Sequence, residues 1–346
     1  MTDAESTPER EAYYQKIAPD NLTPLWSVMS SLVTKQPGSG CLPHLWHYPA
    51  VRSHLMEAGQ LISAKEAERR VLILENPGLR GQSKITSSLY AGLQLVNPGE
   101  VAPSHRHTQS ALRFVIEGAG AHTAVGGEKT RMAPGDFVIT PSWAWHDHGN
   151  ESSQPMIWLD GLDIPLVQFL DTSFAETLGQ DEQPLSKPEG DAMARYGEGL
   201  LPVDYQQRSA TSPIFNYPYG RTREALEVMR ATGEWDPCHG LKMRYVNPVN
   251  GDFAMPTIGA FMQLLPGGFN TEEYRSTDAT VFVVVEGCGK SQLGGQTFSW
   301  QPHDIFVVPS WCPVIHQATE DAVMFSYSDR PVQQKLGLWR ELRSSR

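Results

Sequence analysis

The chain repeats itself. The series Asn76-Pro77, Thr86, Gln94, Pro98-Gly99, Glu117-Gly118, Asp136, Pro141-Ser142-Trp143 and His148 recurs as Asn247-Pro248, Thr257, Gln263, Pro266-Gly267, Glu286-Gly287, Asp304, Pro309-Ser310-Trp311 and His316, at an offset that stays between 168 and 171. A duplication of that length implies two copies of one domain, which constrains the fold more than any local motif does. Each copy reads as short β-runs, among them 112–117, 137–140, 281–286 and 305–308, separated by Gly- and Pro-bearing turns. That is the pattern of an antiparallel barrel or jelly roll, so the fold class is mainly β. Apolar residues at helical spacing over 9–17 and 51–62 predict an N-terminal helical region, and 222–231 predicts a helix before the second copy. Residues 179–199, polar and rich in Gly, Pro and charge, suit a surface connection. The expected layout is a helical region over 1–68, a first barrel over 69–175, a connecting segment with a helix over 176–240, and a second barrel with a C-terminal tail over 241–346.

Composition removes several classes of function. The 346 residues, 40% hydrophobic, are enough for one large core or two of ordinary size. Acidic residues outnumber basic ones 39 to 28, for a net charge of -11, and no stretch gathers Lys and Arg as a phosphate-tracking surface requires. Nucleic acid is not an expected partner. No window approaches the roughly 20 apolar residues of a membrane helix, and residues 1–14 are polar and acidic, without the apolar segment of a secretion signal. Cys41, Cys238, Cys288 and Cys312 are far apart, with no C-x-x-C pair. They fit neither a zinc knuckle nor a disulfide framework, and a reducing cytoplasm suits them.

The first copy carries Gly99-x5-His105-x-His107-x3-Ala111-x6-Gly118, then Gly135-x5-Pro141-x-Trp143-x2-His146-x3-Asn150. These resemble the two cupin motifs in spacing, which makes the expected architecture a bicupin of two tandem jelly-roll barrels. The first motif normally has a Glu where Ala111 stands, and the second a Gly where Trp143 stands. The ligand set left by that resemblance is His105, His107 and His146. Strand alternation puts His105, His107, Gln109, Ala111 and Arg113 on one face, and His146, His148 and Asn150 on another shared face. Nitrogen ligands alone do not select iron, since three histidines also serve catalytic zinc. Three neutral imidazoles leave the full +2 on the ion, so such a site favours a dianionic chelating substrate. In the second copy the equivalent positions are Tyr274, Ser276 and Val314, which supply no imidazole, so that barrel is expected to be structural or to form an interface.

Three histidines without the motif Glu, a Trp after Pro141-Ser142 and a degenerate second barrel together resemble gentisate 1,2-dioxygenases, with salicylate and 1-hydroxy-2-naphthoate dioxygenases as near relatives. The likeness runs from about Tyr13 to about Leu338. It implies an Fe(II) cofactor, an aromatic 2-hydroxy acid and dioxygen as small-molecule partners, ring cleavage between the carboxylate- and hydroxyl-bearing carbons with maleylpyruvate as the product from gentisate, and a homotetramer. It also implies catalytic or substrate-binding roles for Arg113, His148, Asp160, Gln94, Tyr90 and Arg69, the last with Arg70 as its neighbour. Gly92 alternates with Tyr90 and Gln94 and would leave room for a ring; Gln109 and Trp143 join the expected substrate contacts. An inward Arg113 demands an anion, which a substrate carboxylate provides. A non-catalytic metal-binding cupin and a sugar-phosphate isomerase are the rival readings. The isomerase reading needs the carboxylate ligand that Ala111 lacks.

Overall fold

Period-2 alternation builds two barrels with one pairing pattern. The computed structural model describes residues 3–344, so residues 1–2 and 345–346 of the outer predicted segments lie outside the described residues. The stretch ending at Ser39 forms one compact unit and the chain from Gly40 another. The predicted 1–68 region therefore spans a unit boundary. In the first unit the helix Pro8–Ile17 starts at Thr7, whose hydroxyl accepts the Arg10 N–H, and carries Glu9 and Glu11 in its first turn and Lys16 in its last. Cap and charges all favour a helix with that polarity.

From Gly40 the first eleven strands are β1 (His44–Trp46), β2 (Val71–Ile73), β3 (Tyr90–Val96), β4 (Val101–His107), β5 (Ala111–Glu117), β6 (Ala121–Val125), β7 (Glu128–Arg131), β8 (Phe137–Thr140), β9 (His146–Asn150), β10 (Met156–Leu162) and β11 (Ala175–Thr177). β12 (Asn216–Tyr217) precedes the helix Tyr219–Arg230. The second half continues with β13 (Leu241–Arg244), β14 (Gly259–Leu265), β15 (Tyr274–Ser276), β16 (Thr280–Glu286), β17 (Gly289–Leu293), β18 (Gln296–Trp300), β19 (Ile305–Val308), β20 (Val314–Ala318), β21 (Ala322–Ser328) and β22 (Glu341–Arg343). The first barrel has sheets ordered β12-β8-β5-β10-β3-β2 and β11-β4-β9-β6-β7. The second repeats them as β1-β19-β16-β21-β14-β13 and β18-β17-β20-β15-β22.

The edge strands are exchanged. β1 precedes the first barrel but pairs with β19 of the second, and β12 precedes the second barrel but pairs with β8 of the first. The N-terminal caps of the helices that follow cross over in the same way. The helix Tyr48–Leu61 receives its N-terminal hydrogen bond from the second barrel, where Tyr48 N–H donates to Asp304 at 2.8 Å. The helix Tyr219–Arg230 is capped by the first, with Tyr219 N–H donating to Asp136 at 2.9 Å. Each helix then turns back to the other barrel. Tyr48 and Arg52 bond Glu117, while Tyr219 and Arg223 bond Glu286. Tyr48 and Tyr219 are 171 apart, as are Arg52 and Arg223, so the duplicated unit begins before Asn76. A tyrosine and an arginine four apart were too thin a sequence signal to extend it.

The largest cluster of buried apolar side chains lies between the barrels and draws on both. Phe114 of β5 stacks on Phe325 of β21 with centroids 4.2 Å apart and planes 10° from parallel. Such a pair contributes about 0.5–1.5 kcal/mol beyond the area it buries. Alternation explains the division of labour: along β5, Arg113 points into the barrel and Phe114 points out to its partner. The connecting segment is more than a surface link. The Gln183 amide donates to Ala124 and Trp145 carbonyls at 2.9 and 3.1 Å, and its oxygen accepts from Gly127 N–H at 2.8 Å. The segment thereby straps the first barrel from outside.

Candidate metal centre

His105 and His107 close β4, and His146 opens β9, with His105 and His146 paired directly across the ladder. One ligand atom from each of the three lies within 4.8 Å of the others, and their ring centroids are 4.2 to 5.2 Å apart. In two of the three, Nδ1 is held by a carbonyl two residues away: His107 at 2.9 Å from Gln109 O, and His146 at 2.9 Å from Ala144 O. His105 Nδ1 lies 3.3 Å from Pro103 O. A carbonyl can only accept, so in His107 and His146 Nδ1 carries the proton and Nε2 keeps its lone pair, which is how an imidazole is prepared for a metal; His105 Nδ1 also meets the Arg69 guanidinium, which can only donate. Burial holds His105 at about 3 and His107 at about 4, and pushes His146 well below the ordinary histidine range. All three are neutral donors at neutral pH. Three neutral imidazoles with ligand atoms this close together fit a divalent transition-metal ion.

The turn 108–110 separates β4 from β5, so alternation does not carry through it, although Arg113 still faces inward. Gln109 sits in that turn and spends its amide on Ser173 at 2.7 Å. Arg113 is 3% exposed; it donates to Thr140 Oγ1 at 2.6 Å, and its Nε lies 3.6 Å from Asp160, the residue paired with it across β5 and β10. Asp160 also accepts the indole N–H of Trp158 at 3.0 Å. Burial raises its carboxyl to about 6, against the pull of Arg113. Arg69 donates to Pro103 O at 2.9 Å and lies against the His105 ring. Burial, then the charge of Arg113, brings Arg69 down to about 10. Its neighbour Arg70 turns away, to Glu100 and to the Ile62 and Leu95 carbonyls. Arg69 and His105 also line a surface cleft of about 370 Å³ with Ser104, Glu176 and Asp181.

Gln94, 2% exposed, pairs with Trp158 across β3 and β10. At Gly92 a Cβ would come 2.4 Å from Val71 Cγ1 and 2.8 Å from the Tyr90 hydroxyl. The space left by this glycine is filled by those two side chains. His148 is fully buried, with Nδ1 2.9 Å from Thr123 Oγ1. Trp143 adopts φ +64, which explains why a glycine is usual there, and Trp311 repeats it at φ +61. Each Trp backbone N–H donates to a carbonyl on the facing strand, Trp143 to His107 and Trp311 to Ser276. The Trp143 ring packs on Phe174 and on Arg106, whose side chain is opposite in parity to the histidines. Sequence reading missed Thr123, Thr140, Trp158 and Val71. Trp158 could have been found two residues before Asp160; the other three become visible only through strand register.

The fold and the centre together define a bicupin with a three-histidine site in its first barrel. Residues 92–162 match the cupin domain family. The chain is 63% identical over 338 residues to gentisate 1,2 dioxygenase 1 of Aquipseudomonas alcaligenes, covering 98% of this chain and 97% of that protein. It is 36% identical over 337 residues to 5-aminosalicylate 1,2-dioxygenase of a Comamonas species, covering 96% and 89%. Salicylate 1,2-dioxygenase from Pseudoaminobacter salicylatoxidans, solved as an adduct with gentisate, superposes with a TM-score of 0.93 at 36% identity over 99% of this chain and 96% of that one. The chain belongs to the gentisate 1,2-dioxygenase family.

Proposed function

We propose that this protein cleaves gentisate with dioxygen between the carboxylate-bearing carbon and the ortho-hydroxyl-bearing carbon, giving maleylpyruvate. The observation that carries the reading is the convergence of three neutral imidazoles beside two arginines, the buried Arg113 and the half-buried Arg69, with Asp160 as the carboxylate set against Arg113. His105, His107 and His146 would hold iron(II) through Nε2. When bound, iron supplies a Lewis acid for a chelating hydroxy acid and the electrons for dioxygen chemistry. The rest of the pocket serves the substrate. Arg113, fixed by Thr140 and Asp160, presents a planar fork to a carboxylate. Arg69 adds a second positive charge on the side of the surface cleft, which suits entry of an anion. His148 faces a substrate hydroxyl, and Tyr90 and Gln94 bound the ring.

Oxygen uptake by the iron-loaded protein tests this across gentisate, salicylate and 1-hydroxy-2-naphthoate, with hydroquinone and 3-hydroxybenzoate as controls. Gentisate is expected to be turned over fastest and both controls to fail. Efficient cleavage of hydroquinone, which lacks the carboxylate, would defeat the chelate reading. Among the described residues no helix is long and apolar enough to cross a membrane. A cytoplasmic location and a homotetramer complete the proposal, the latter resting on likeness to the family. Light scattering at micromolar concentration should give several times the 38.4 kDa of one chain.

A further inference from the structure

His148, on the same strand as His146, is bonded differently from the three candidate ligands. His107 and His146 are aimed by carbonyls, but His148 Nδ1 meets a hydroxyl, Thr123 Oγ1, at 2.9 Å, and that hydroxyl also lies 3.2 Å from the Asp147 carbonyl oxygen. The carbonyl can only accept. The Thr123 proton therefore goes to Asp147, and the hydroxyl is left with lone pairs for an N–H of His148. The ring cannot turn to escape this, because Trp158 packs on it edge to face with centroids 5.5 Å apart. At the far side of the ring, His148 Nε2 is buried with no partner in the protein, and its centroid is 5.8 Å from that of the ligand His146. A buried acceptor without a donor is costly, which marks it as reserved for something that enters the pocket.

We infer that Thr123 is a positioning residue that locks His148 as the Nδ1–H tautomer, so that Nε2 accepts a hydrogen bond from a hydroxyl of the bound aromatic acid. The second barrel contains a natural control. Ser291 and His316 stand where Thr123 and His148 stand, 168 residues on, paired in the same register and 2.7 Å apart. There, however, the Trp300 indole N–H donates to Ser291 Oγ at 2.9 Å. With one lone pair taken and His316 Nδ1 the acceptor within reach, the Ser291 proton points at the ring. His316 is then the Nε2–H tautomer, opposite to His148.

The substrate role rests on the ring-cleavage reading, but the tautomer does not, so the two can fail separately. The full chain, metal-free and with 15N-labelled histidine, is read by two-bond proton–nitrogen correlation, with His148 and His316 assigned by loss of signal in His148→Gln and His316→Gln. The expected result is a proton on Nδ1 of His148 and on Nε2 of His316. Thr123→Val should mix or invert the His148 tautomer and lower kcat for gentisate about 10–100-fold at unchanged iron content. Thr123→Ser should restore both. A proton on Nε2 of His148 in the wild-type protein overturns the inference, as does a Thr123→Val protein with the wild-type tautomer and wild-type kcat. Should Thr123→Val fail to fold, the wild-type spectrum still decides the tautomer. Abolished gentisate turnover with the tautomers as expected would indict the substrate reading alone.

Discussion

The two barrels share a fold, a pairing order and a series of landmark residues, yet they differ at the positions where the first gathers its histidines and its ion pair, which in the second are taken largely by rings and apolar side chains. Where the first pairs His105 with His146 across the ladder, the second pairs Tyr274 with Val314. Where the first sets Arg113 opposite Asp160, the second has Phe282 opposite Ser326. Both members of the ion pair have gone together, as they must, because one left behind would be an uncompensated buried charge. Gly92 becomes Phe261, and Phe282 stacks on Phe306 with centroids 4.8 Å apart. What remains is a cavity of about 20 Å³ among His239, Lys242, Gln263 and His316, room for a single water. The first barrel keeps the imidazoles and the Arg113–Asp160 pair at these positions, and the second fills them with side chains that pack on one another.

The strongest way to break that contrast is at the ligands. His105→Ala or His146→Ala should abolish metal binding, measured by metal analysis, whereas Tyr274→Phe and Ser276→Ala should leave the metal content untouched. Metal lost on the second pair of changes would place a site in the wrong barrel.

The ion pair and its apolar replacement come next. Arg113→Lys keeps the charge and loses the fork, and should lower kcat/KM for gentisate by about 1–3 kcal/mol, the size of a charge-assisted hydrogen bond. Ser326→Ala, which removes a buried hydroxyl with no partner, should leave turnover unchanged and the melting temperature unchanged or slightly raised. An Arg113→Lys enzyme indistinguishable from wild type would remove the carboxylate clamp.

The smallest effect concerns the one ammonium left in the closed barrel. Lys242 has ring neighbours in Phe261 and Phe282, and burial, then Arg330, lowers it from 10.5 to about 7, with Asp278 and Asp236 pulling the other way. His239 and His316 face the same space and are held at about 2 and about 3, so they stay neutral. The unfolded chain therefore holds the Lys242 proton more tightly between pH 7 and 10.5, and this residue costs most stability below pH 7 and progressively less as the pH rises through that window. Lys242→Met should stabilise by about 1–2 kcal/mol near neutrality, a fraction of what the full shift would give, since nearby dipoles relax around the charge. By thermal melts the gain should shrink toward pH 10. A gain independent of pH would mean that packing, and not charge, sets it.

Much of this was legible in the residues. The repeat gave two barrels, the two motifs picked out three histidines that the fold brings within reach of one another, and in the second copy Tyr274, Ser276 and Val314 stand at the equivalent positions. Arg113 was placed inward by counting through a turn, a correct result from a rule that stops at strand ends. Gly92 was expected to leave room for a ring, but Tyr90 and Val71 fill that space, Val71 reaching it from a neighbouring strand. Trp143 was expected at the substrate. Its ring lies with Arg106 and Phe174, on the opposite side of the strand, because a positive φ redirects the side chain. Thr123 and Thr140 could not be seen at all: a lone threonine on a strand carries no sign of what the next strand places beside it.

The exchanged edge strands and helix caps also bear on how this enzyme can be altered. Each half lends the other a strand and borrows the cap for its own helix, and the Tyr327 hydroxyl of the second barrel donates to the backbone carbonyl of Tyr90, at the start of β3 in the first. Neither half is a module that can be cut out and kept. By the same connection, a change made wholly within the second barrel has a mechanical path to β3, so a search for altered specificity that samples only residues near the histidines would overlook positions across the barrel interface.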